Sequence, residues 1–517
     1  MRKNLTSALA VAAALLTTLT GTAEASDTVV RTDSGPVRGL SADGYRTFHG
    51  IPYAAPPTGA LRWRAPRPPS RWTAVKDATR PGNRCAQTAG ANTPSTDEDC
   101  LVLNVTAPAA RGRLKPVMVW LHGGGNSFGT ASDNDTRRLA AGGDAVVVSP
   151  NYRLGVFSSF GHASQPGSGD FGLQDQQAAL RWVRHNAAAF GGDPRNVTLI
   201  GESGGAFDVC GQLTSPGSAG LFQRAIMHSG SCSSAWPVDA FAAGGPAVSP
   251  WRSTVDRDTQ GAALAAKFGC AGAPSVVDCL RGVPAADLIA LPQASQISPL
   301  AYGTPTLPLR PDTALAAGLF HRVPVLTGNT RDEGAFTAGF IPGDFDESTY
   351  QAQLVKSFGA DAPRVAARYP SAKYGSPRLA WTAVITDGSW TCHQLDDARR
   401  LALGGSTYSF EFADENAPQG FFAGLFAPGF PARAFHSSDM AYLFDTPGFP
   451  LAPAQRRLAD QMIRYWGRFA ASGDPNGQGL PRWQPLRDAN SQALVPDATH
   501  AVDLASEHQC GFWAARG

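Results

Sequence analysis

The sequence predicts an α/β fold built on a largely parallel β-sheet that helices cover. Strand-like and helix-like patterns alternate from Val117 to Met227, which is typical of parallel strands joined by helical crossovers. Two glycine motifs follow apolar runs that read as buried strands. They are HGGG at 122–125, after the run at 116–121, and GESGG at 201–205, after the run at 197–200. Each motif therefore marks a turn at the end of a strand.

Ser203 stands at the apex of the second motif, with a strand pattern before it and an Ala- and Val-containing helix pattern after it. A serine hydroxyl is a weak nucleophile unless it is exposed, aimed and deprotonated by a neighbour. Gly201 and Gly205 let the strand and the helix approach closely enough to hold the serine in a strained, outward-pointing conformation. A G-x-S-x-G pattern alone is frequent by chance, but its position between strand and helix favours a nucleophile.

The glycine triplet at 123–125 predicts an oxyanion hole. Three successive glycines cost backbone entropy, so an ordinary loop rarely contains them. Here the N–H groups of Gly124 and Gly125, together with that of Gly204 after the nucleophile, would bind a developing oxyanion. The alternatives are a flexible turn or a phosphate-binding loop. A phosphate-binding loop needs Lys-Ser or Lys-Thr after the glycines, whereas residues 126–128 read NSF.

Further segments match one known family in order along the chain. The active-serine region spans 190–205, and a second segment reads EDCLVLNV at 98–105. Shorter matches lie at 48–54, 151–155, 172–176, 465–466 and 473–477. The chain thus resembles the type-B carboxylesterases, the cholinesterase-like branch of the α/β-hydrolases, and is similar to the secreted bacterial esterases among them.

The resemblance implies an α/β-hydrolase fold with long insertions over the active site and a reaction that needs no cofactor. About five hundred residues would ordinarily suggest two or more domains. The family instead builds one large domain, so we predict a single domain over residues 26–517. The Pro-rich stretch from Ala54 to Trp72 matches the N-terminal region of the family and is not an interdomain linker.

The general base follows the nucleophile in this fold, after the acid. The histidines beyond Ser203 are His228, His321, His393, His436, His500 and His508. Of these, His436 in the segment 434–439 resembles the histidine loop of the family. It stands between Gly/Pro-rich sequence and the apolar run 440–444, and a loop histidine can reach across the top of a sheet.

By the same resemblance the acid is Glu333, in the segment 328–334 that follows the apolar strand pattern at 323–326. The family pattern favours the residue directly before the glycine. The neighbouring Asp332 is the rival, and its alternative role is a cap or an ion pair with Arg331. The expected catalytic residues are therefore Ser203, Glu333 and His436, acting through an acyl-enzyme.

Asn126 departs from the family, in which an aromatic residue commonly follows the glycine triplet. If its side chain faces the substrate pocket, the wall beside the scissile carbonyl is wetter and short or polar acyl groups are preferred. The alternative is that the side chain turns outward and bonds its own loop backbone. The usual alanine after the serine is Gly204 here, which keeps the donor N–H.

Two more residues are candidates for the substrate pocket by resemblance. The family counterpart of Glu202 lies near the catalytic histidine and tunes it electrostatically, while the alternative is a hydrogen-bonded turn carboxylate. Trp236 stands where cholinesterases place an acyl-pocket tryptophan, while the alternative is a core aromatic. No tryptophan lies between Cys85 and Cys100, where cholinesterases carry their choline-binding aromatic. Without that cation–π platform, choline esters are not expected as preferred substrates.

The chain opens with the basic residues Arg2 and Lys3, continues with an apolar stretch from Ala8 to Leu19, and reaches the sequence AEA at 23–25. This order is typical of a secretory signal peptide cleaved after Ala25, so we assign residues 1–25 to it. The alternative is a membrane anchor. The apolar stretch is too short for about twenty residues of hydrocarbon and is interrupted by threonines, so a secreted protein is expected.

Eight cysteines in an exported chain of this size suggest disulfides as local clamps. By resemblance the pairs are Cys85–Cys100, Cys270–Cys279 and Cys392–Cys510. Cys210 follows the nucleophile and Cys232 follows an apolar strand pattern. Those elements are neighbours in this fold, which allows a fourth bridge. Zinc binding is the alternative, but neither C-x-x-C nor H-E-x-x-H occurs.

A formal net charge of +2 gives no argument for a nucleic-acid partner or an anionic membrane. The expected partner is a small ester, no metal is expected, and the sequence is compatible with a monomer but does not determine the oligomeric state. The sequence thus predicts a secreted serine esterase for short to medium esters. The rivals are a lipase or acyltransferase with the same residues, and a non-catalytic adhesion module, against which the intact triad argues.

Overall fold

The computed structural model describes residues 26–42, 44–88, 93–110, 112–241, 245–291, 297–420, 424–446 and 450–515. The predicted signal peptide, residues 1–25, lies outside the described residues. The strands are β1 (Ser26–Arg31), β2 (Pro36–Ala42), β3 (Tyr45–Pro52), β4 (Lys76–Asp77), β5 (Val102–Pro108), β6 (Lys115–Leu121), β7 (Val146–Pro150), β8 (Gly192–Glu202), β9 (Arg224–His228), β10 (Trp251–Ser253), β11 (Leu300–Tyr302), β12 (Val325–Thr330), β13 (Thr407–Phe412), β14 (Asn490–Leu494) and β15 (His500–Asp503).

One large sheet contains thirteen of these strands in the part of the chain that the structure describes. Its order is β1-β2-β3-β5-β7-β6-β8-β9-β12-β13-β14-β15, with β4 paired to β2, while β10 and β11 form a separate parallel pair. The strands from β7 to β14 in this order pair in parallel. The pairs nearer the two edges are antiparallel, except that the short strand β4 pairs in parallel with β2. The predicted α/β fold with a mostly parallel sheet is confirmed.

The helices are α1 (Arg137–Gly142), α2 (Gly155–Ser159), α3 (Phe171–Asn186), α4 (Gly204–Thr214), α5 (Thr254–Lys267), α6 (Val276–Arg281), α7 (Ala285–Ile289), α8 (Pro311–Ala316), α9 (Ala335–Ala338), α10 (Glu347–Phe358), α11 (Ala362–Arg368), α12 (Ser371–Tyr374), α13 (Pro377–Ile385), α14 (Cys392–Ala402), α15 (Met440–Leu443), α16 (Pro453–Ser472), α17 (Leu504–Glu507) and α18 (Cys510–Ala514). Residues Thr386–Thr391 form a π-helical segment between α13 and α14. None of the helices that the structure describes is long and apolar enough to span a bilayer.

Two apolar layers cover the central strands. Side chains alternate along a strand, and in β6 Val117 and Val119 join the core formed with α3 and α4. Met118 and Trp120 point to the opposite face and join the core formed with α1 and α16. Strands buried on both faces read as continuous apolar runs, which is why the sequence identified β6 and β8. The layers hold the carboxyl ends of these strands, where both glycine motifs lie.

Four disulfides join all eight cysteines of the chain. They are Cys85–Cys100, Cys210–Cys232, Cys270–Cys279 and Cys392–Cys510. The three pairs that the family resemblance implied are confirmed. The fourth bridge is present as well, and it ties α4, which begins directly after Ser203, to the segment that follows β9.

Removing the Cys210–Cys232 bridge is expected to destabilise the protein. A bridge that closes a loop of this length restricts the unfolded chain and contributes about 2–4 kcal/mol. The double variant Cys210→Ala/Cys232→Ala should therefore lose that amount in urea-induced unfolding, while nonreducing peptide mapping of the wild type shows four linked pairs. Alkylation of Cys210 in the unreduced, denatured wild type would contradict the bridge.

Candidate active site

Ser203 lies at the sharp turn between β8, which ends at Glu202, and α4, which begins at Gly204. Its backbone has φ +52° and ψ −117°, a conformation that is strained for a residue with a side chain. The backbone N–H of Ser203 donates to the carbonyl of His228 at 2.9 Å, so the neighbouring strand β9 supports the turn. The residue is half-buried, and its hydroxyl leaves the sheet at the carboxyl end of the parallel strands.

Ser203, His436 and Glu333 form one continuous series of hydrogen-bonding contacts. His436 Nε2 lies 2.9 Å from Ser203 Oγ, and His436 Nδ1 lies 2.5 Å from Glu333 Oε2. The other carboxylate oxygen, Glu333 Oε1, accepts the N–H of Thr330 at 2.8 Å. Both carboxylate oxygens are therefore engaged, and the orientation of Glu333 is set by the end of β12. The structure brings together the three residues that the sequence suggested.

Asp332, the rival acid, faces the histidine loop rather than the imidazole. Its N–H donates to the carbonyl of Ala434 at 2.9 Å, and its Oδ2 accepts the N–H of Ala434 at 3.3 Å. Of its two alternative roles, the ion pair with Arg331 is wrong, because Arg331 Nη2 pairs with Glu411 Oε2 at 2.6 Å. Asp332 instead lies 4.0 Å from Arg433. It therefore fixes the segment that carries His436.

Two buried carboxylates surround the His436 imidazole. Burial alone would lower its pKa, but Glu333, and then Glu202, outweigh burial and hold the pKa above its ordinary value. Glu202 Oε1 lies 3.6 Å from His436 Nε2 and accepts a hydrogen bond from the hydroxyl of Ser437. Burial raises the pKa of Glu202 to about 7. Glu202 thus contacts the histidine loop from the strand that carries the serine.

The glycine triplet packs directly against the start of α4. Gly124 and Gly125 have φ of +104° and +59°, which glycine adopts without steric cost. A Cβ on Gly204 would lie 2.6 Å from the nitrogen of Gly125, so the glycine that replaces the usual alanine fits this close approach. Across the described ranges no hydrogen bond occupies the N–H groups of Gly124, Gly125 and Gly204. Three donors are therefore available beside Ser203.

The side chain of Asn126 bonds the nucleophile helix. It is 3 % exposed, and its Nδ2 donates to Asp208 Oδ1 at 2.8 Å, so the alternative of a bond to its own loop backbone is wrong. Its backbone has φ +59°, a region in which asparagine is enriched among residues with side chains. Asp208 lies in α4, and burial raises its pKa to about 7.

An aromatic cluster packs behind the imidazole. Trp390, in the π-helical segment, lies with its ring 4.7 Å from that of His436. Trp236 is 2 % exposed and packs edge-on against Trp390 at 4.9 Å. Phe336 contacts His436 on another side, with ring centroids 5.0 Å apart. Trp236 is therefore one ring removed from the histidine. Sequence reasoning missed Trp390, because nothing local distinguishes it from a core tryptophan.

Other buried histidines have carboxylate partners away from Ser203. His228 Nδ1 lies 2.7 Å from Asp439 Oδ2, and its Nε2 accepts from Trp466 at 2.8 Å. His508 lies between Asp387 and Glu411, at 2.6 Å from each. No group of three or more His, Cys, Asp or Glu side chains within the described segments is arranged to hold a metal ion.

Several esterases and hydrolases are similar to this chain along most of its length. A family model described as "Carboxylesterase family" matches residues 26–513. The para-nitrobenzyl esterase of Bacillus subtilis (strain 168) is 31 % identical, with 95 % of this chain and 99 % of that protein covered. The cocaine esterase of Homo sapiens is 31 % identical with 92 % and 88 % covered, and the acylcarnitine hydrolase of Mus musculus is 30 % identical with 91 % and 86 % covered. Since these matches run along nearly the whole chain, the protein belongs to the carboxylesterase family.

Proposed function

We propose that this protein hydrolyses carboxylic esters through an acyl-enzyme, with Ser203 as nucleophile, His436 as general base and Glu333 as the orienting acid. The observation that carries the proposal is the unbroken line from Ser203 Oγ through the imidazole to Glu333, at 2.9 Å and 2.5 Å. A base within hydrogen-bonding distance of the hydroxyl, itself oriented by a third group, is the arrangement that activates a serine. Family membership supports the same reaction.

In the acylation step Ser203 Oγ attacks the ester carbonyl while its proton passes to His436 Nε2. Glu333 keeps the other proton of the ring on Nδ1 and stabilises the imidazolium that forms. The N–H groups of Gly124, Gly125 and Gly204 bind the oxyanion. His436 then gives its proton to the leaving alcohol, and the acyl group remains on Ser203. Loss of one oxyanion donor typically lowers turnover by about 10²–10³.

Deacylation repeats these steps with water as the nucleophile. His436 takes a proton from the water as it attacks the acyl carbon, and the same three N–H groups bind the second oxyanion. Collapse of that intermediate breaks the bond to Ser203 Oγ, which recovers its proton from His436 and releases the acid. An acyltransferase would differ only in that an alcohol replaces water in this step.

The substrate side of the proposal concerns esters of short to medium size. The relatives are named for para-nitrobenzyl esters, cocaine and acylcarnitine, and we infer a small-molecule ester here as well. We propose that Trp236 shapes the acyl side of the pocket through its contact with Trp390. Glu202 is proposed to tune the imidazole, because its Oε1 lies 3.6 Å from His436 Nε2.

We further propose that residues 1–25 are a signal peptide and that residues 26–517 act as one secreted α/β-hydrolase domain. The support is the basic and apolar order of the leader and the four disulfides of the mature chain. Disulfides form and persist in oxidising compartments. Amino-terminal sequencing of the protein from the culture medium should begin at Ser26, and an intact leader on cell-bound protein would contradict this.

The proposed function is tested by a hydrolysis profile over p-nitrophenyl esters from acetate to palmitate, with an emulsified triglyceride in parallel. We expect the largest kcat/KM on short to medium acyl chains and little release from the emulsion. Preference for the emulsion would indicate a lipase. Product esters formed when an alcohol is added, in place of free acid, would indicate an acyltransferase. No turnover of any ester would reject the proposal.

The pH profile provides a separate test of His436. Only a neutral imidazole accepts the serine proton, so kcat/KM falls as the pH drops through the His436 pKa. Because that pKa is held above its ordinary value, we expect the half-maximal rate above about pH 6.5. Glu202→Gln removes one of the carboxylates that raise it and should move the midpoint to lower pH. An identical midpoint in wild type and variant would show that Glu202 does not tune the base.

A further inference from the structure

The oxyanion loop, defined here as residues 122–128, is connected to the nucleophile helix through two polar side chains. Asn126 Nδ2 donates to Asp208 Oδ1 at 2.8 Å. Asp208 lies four residues after Gly204 in α4, and residues four apart share one face of a helix. The carboxylate therefore reaches the loop on the side where the nitrogens of Gly125 and Asn126 pack against Gly204.

We infer that Asn126 and Asp208 form a clamp that positions the N–H groups of Gly124 and Gly125 relative to that of Gly204. The inference rests on the proposed function, because it assigns these N–H groups to the oxyanion. Gly124 and Gly125 lie on the loop, whereas Gly204 is the first residue of α4 and the nucleophile directly precedes it. A bond between loop and helix thus sets the distance between donors that must act on one oxygen atom. Both residues act through the backbone and are positioning residues.

The backbone of the loop supports this role for Asn126. The carbonyl of Gly125 accepts the N–H of Ser298 at 2.7 Å, and the carbonyl of Asn126 accepts the N–H of Gly155 at 2.7 Å. These two bonds hold the outer side of the loop. The side-chain bond to Asp208 holds the side that faces α4, so the loop is fixed between its surroundings and the nucleophile helix.

Asp208 is itself fixed by a chain of amides. Gln176 Nε2 donates to Asp208 Oδ2 at 2.5 Å, and Gln176 Oε1 accepts from Gln212 Nε2 at 2.9 Å. The orientation of the Gln176 amide is therefore determined, and both carboxylate oxygens have a donor. Burying a carboxylate is costly unless hydrogen bonds compensate. A role in holding the oxyanion loop would account for a buried carboxylate at Asp208.

This chain of amides makes a conservative replacement informative. In Asp208→Asn the oxygen of the new amide must face Gln176 Nε2, which leaves its NH₂ group pointing at Asn126. Asn126 can turn its own amide to meet it, because its Oδ1 has no hydrogen-bond partner. Asp208→Asn therefore preserves the clamp, whereas Asp208→Ala removes it. Asn126→Gly also removes it and is compatible with the positive φ at this position.

The test measures kcat and KM on p-nitrophenyl butyrate for these variants. Because the bound ester carries no oxyanion and the charge develops as the transition state is reached, we expect Asn126→Gly and Asp208→Ala each to lower kcat by about ten- to a hundredfold, with KM within about threefold. Asp208→Asn should stay within about threefold of wild type, and the double variant should lose little more than either single one. The matched control is Asp170→Ala, which removes a carboxylate that is equally buried but bonds Ala301 and Thr304 instead.

A second measurement does not depend on catalysis. Hydrogen–deuterium exchange of the peptide covering residues 122–128 should accelerate in Asn126→Gly and Asp208→Ala and remain at the wild-type rate in Asp170→Ala and Asp208→Asn. Unchanged exchange together with unchanged kcat in Asn126→Gly would overturn the clamp, as would an Asp208→Asn variant as impaired as Asp208→Ala. If the wild type cleaves no ester but exchange accelerates as expected, the proposed function fails and the clamp stands.

Discussion

Ser203→Ala is expected to abolish ester hydrolysis while the protein remains folded. Ser203 is half-buried at a turn, and its hydroxyl hydrogen-bonds to His436 Nε2. Loss of the hydroxyl therefore removes the nucleophile and little packing. We expect kcat to fall by at least about 10⁴, because only the oxyanion donors and substrate binding remain. The measurement is kcat on p-nitrophenyl butyrate, with near-ultraviolet circular dichroism as the check on folding.

Labelling identifies the nucleophile independently of rate. An organophosphate should modify the wild type at Ser203 and leave Ser203→Ala unmodified, as read by peptide mass mapping. Ser231→Ala is the control, because Ser231 also lies near the end of β9 but is buried, and its hydroxyl pairs with that of Ser234 at 2.9 Å. Label on another residue, or a Ser203→Ala variant that keeps more than about a thousandth of the rate, would reject the assignment.

The parts of the fold that the sequence predicted are those with local signals. The strands β6 and β8 are apolar on both faces, and glycine motifs mark their ends, so their positions follow from short stretches of chain. The antiparallel strands at the edges of the sheet have no such signal. Strand β15, for example, has one buried residue among four, and its place depends on its pairing with β14.

The residues of the active site also differ in whether a local sequence signal identifies them. Ser203 and the oxyanion glycines could be located from the residues around them, and His436 and Glu333 from their resemblance to a known family. The clamp joins positions 82 residues apart, and no local pattern predicts such a pair. One signal was present, since Asp208 is the single charged residue in the helix α4, all of whose residues are buried. A lone carboxylate in such a helix needs a polar partner, but the sequence does not identify that partner.

His508 shows why charged residues were harder to interpret. The sequence offered it as one of six histidines beyond Ser203, with no feature that set it apart. In the structure it lies between Asp387, in the π-helical segment, and Glu411, in β13. The two carboxylates overcome the effect of burial and raise the pKa of His508 to about 10. Its role as a buried cation that joins the C-terminus to the sheet depends on contacts about a hundred residues away in sequence, which spacing cannot reveal.

Glu333→Gln is the second replacement for which a large effect is expected. The N–H of Thr330 donates to Glu333 Oε1, and in the variant this N–H still requires an acceptor. The amide oxygen therefore stays with Thr330, and the amide NH₂ group turns to His436 Nδ1. Donation to Nδ1 forces the ring proton onto Nε2. The protonated Nε2 faces Ser203 and cannot accept the serine proton. We expect kcat to fall by about 10⁴, the size seen when a triad carboxylate becomes an amide.

Asp332→Asn separates this mechanism from a general loss of negative charge. Both variants remove one carboxylate from the loop after β12, but Asp332 contacts the backbone of Ala434 rather than the imidazole. Its amide can keep the acceptor oxygen there, so kcat should stay within about fivefold of wild type. Glu333→Gln should also lower the pH midpoint of the residual activity, because the carboxylate that most strongly raises the His436 pKa is gone. If Asp332→Asn is the more impaired variant, the acid of the triad is Asp332, and the assignment of Glu333 is rejected.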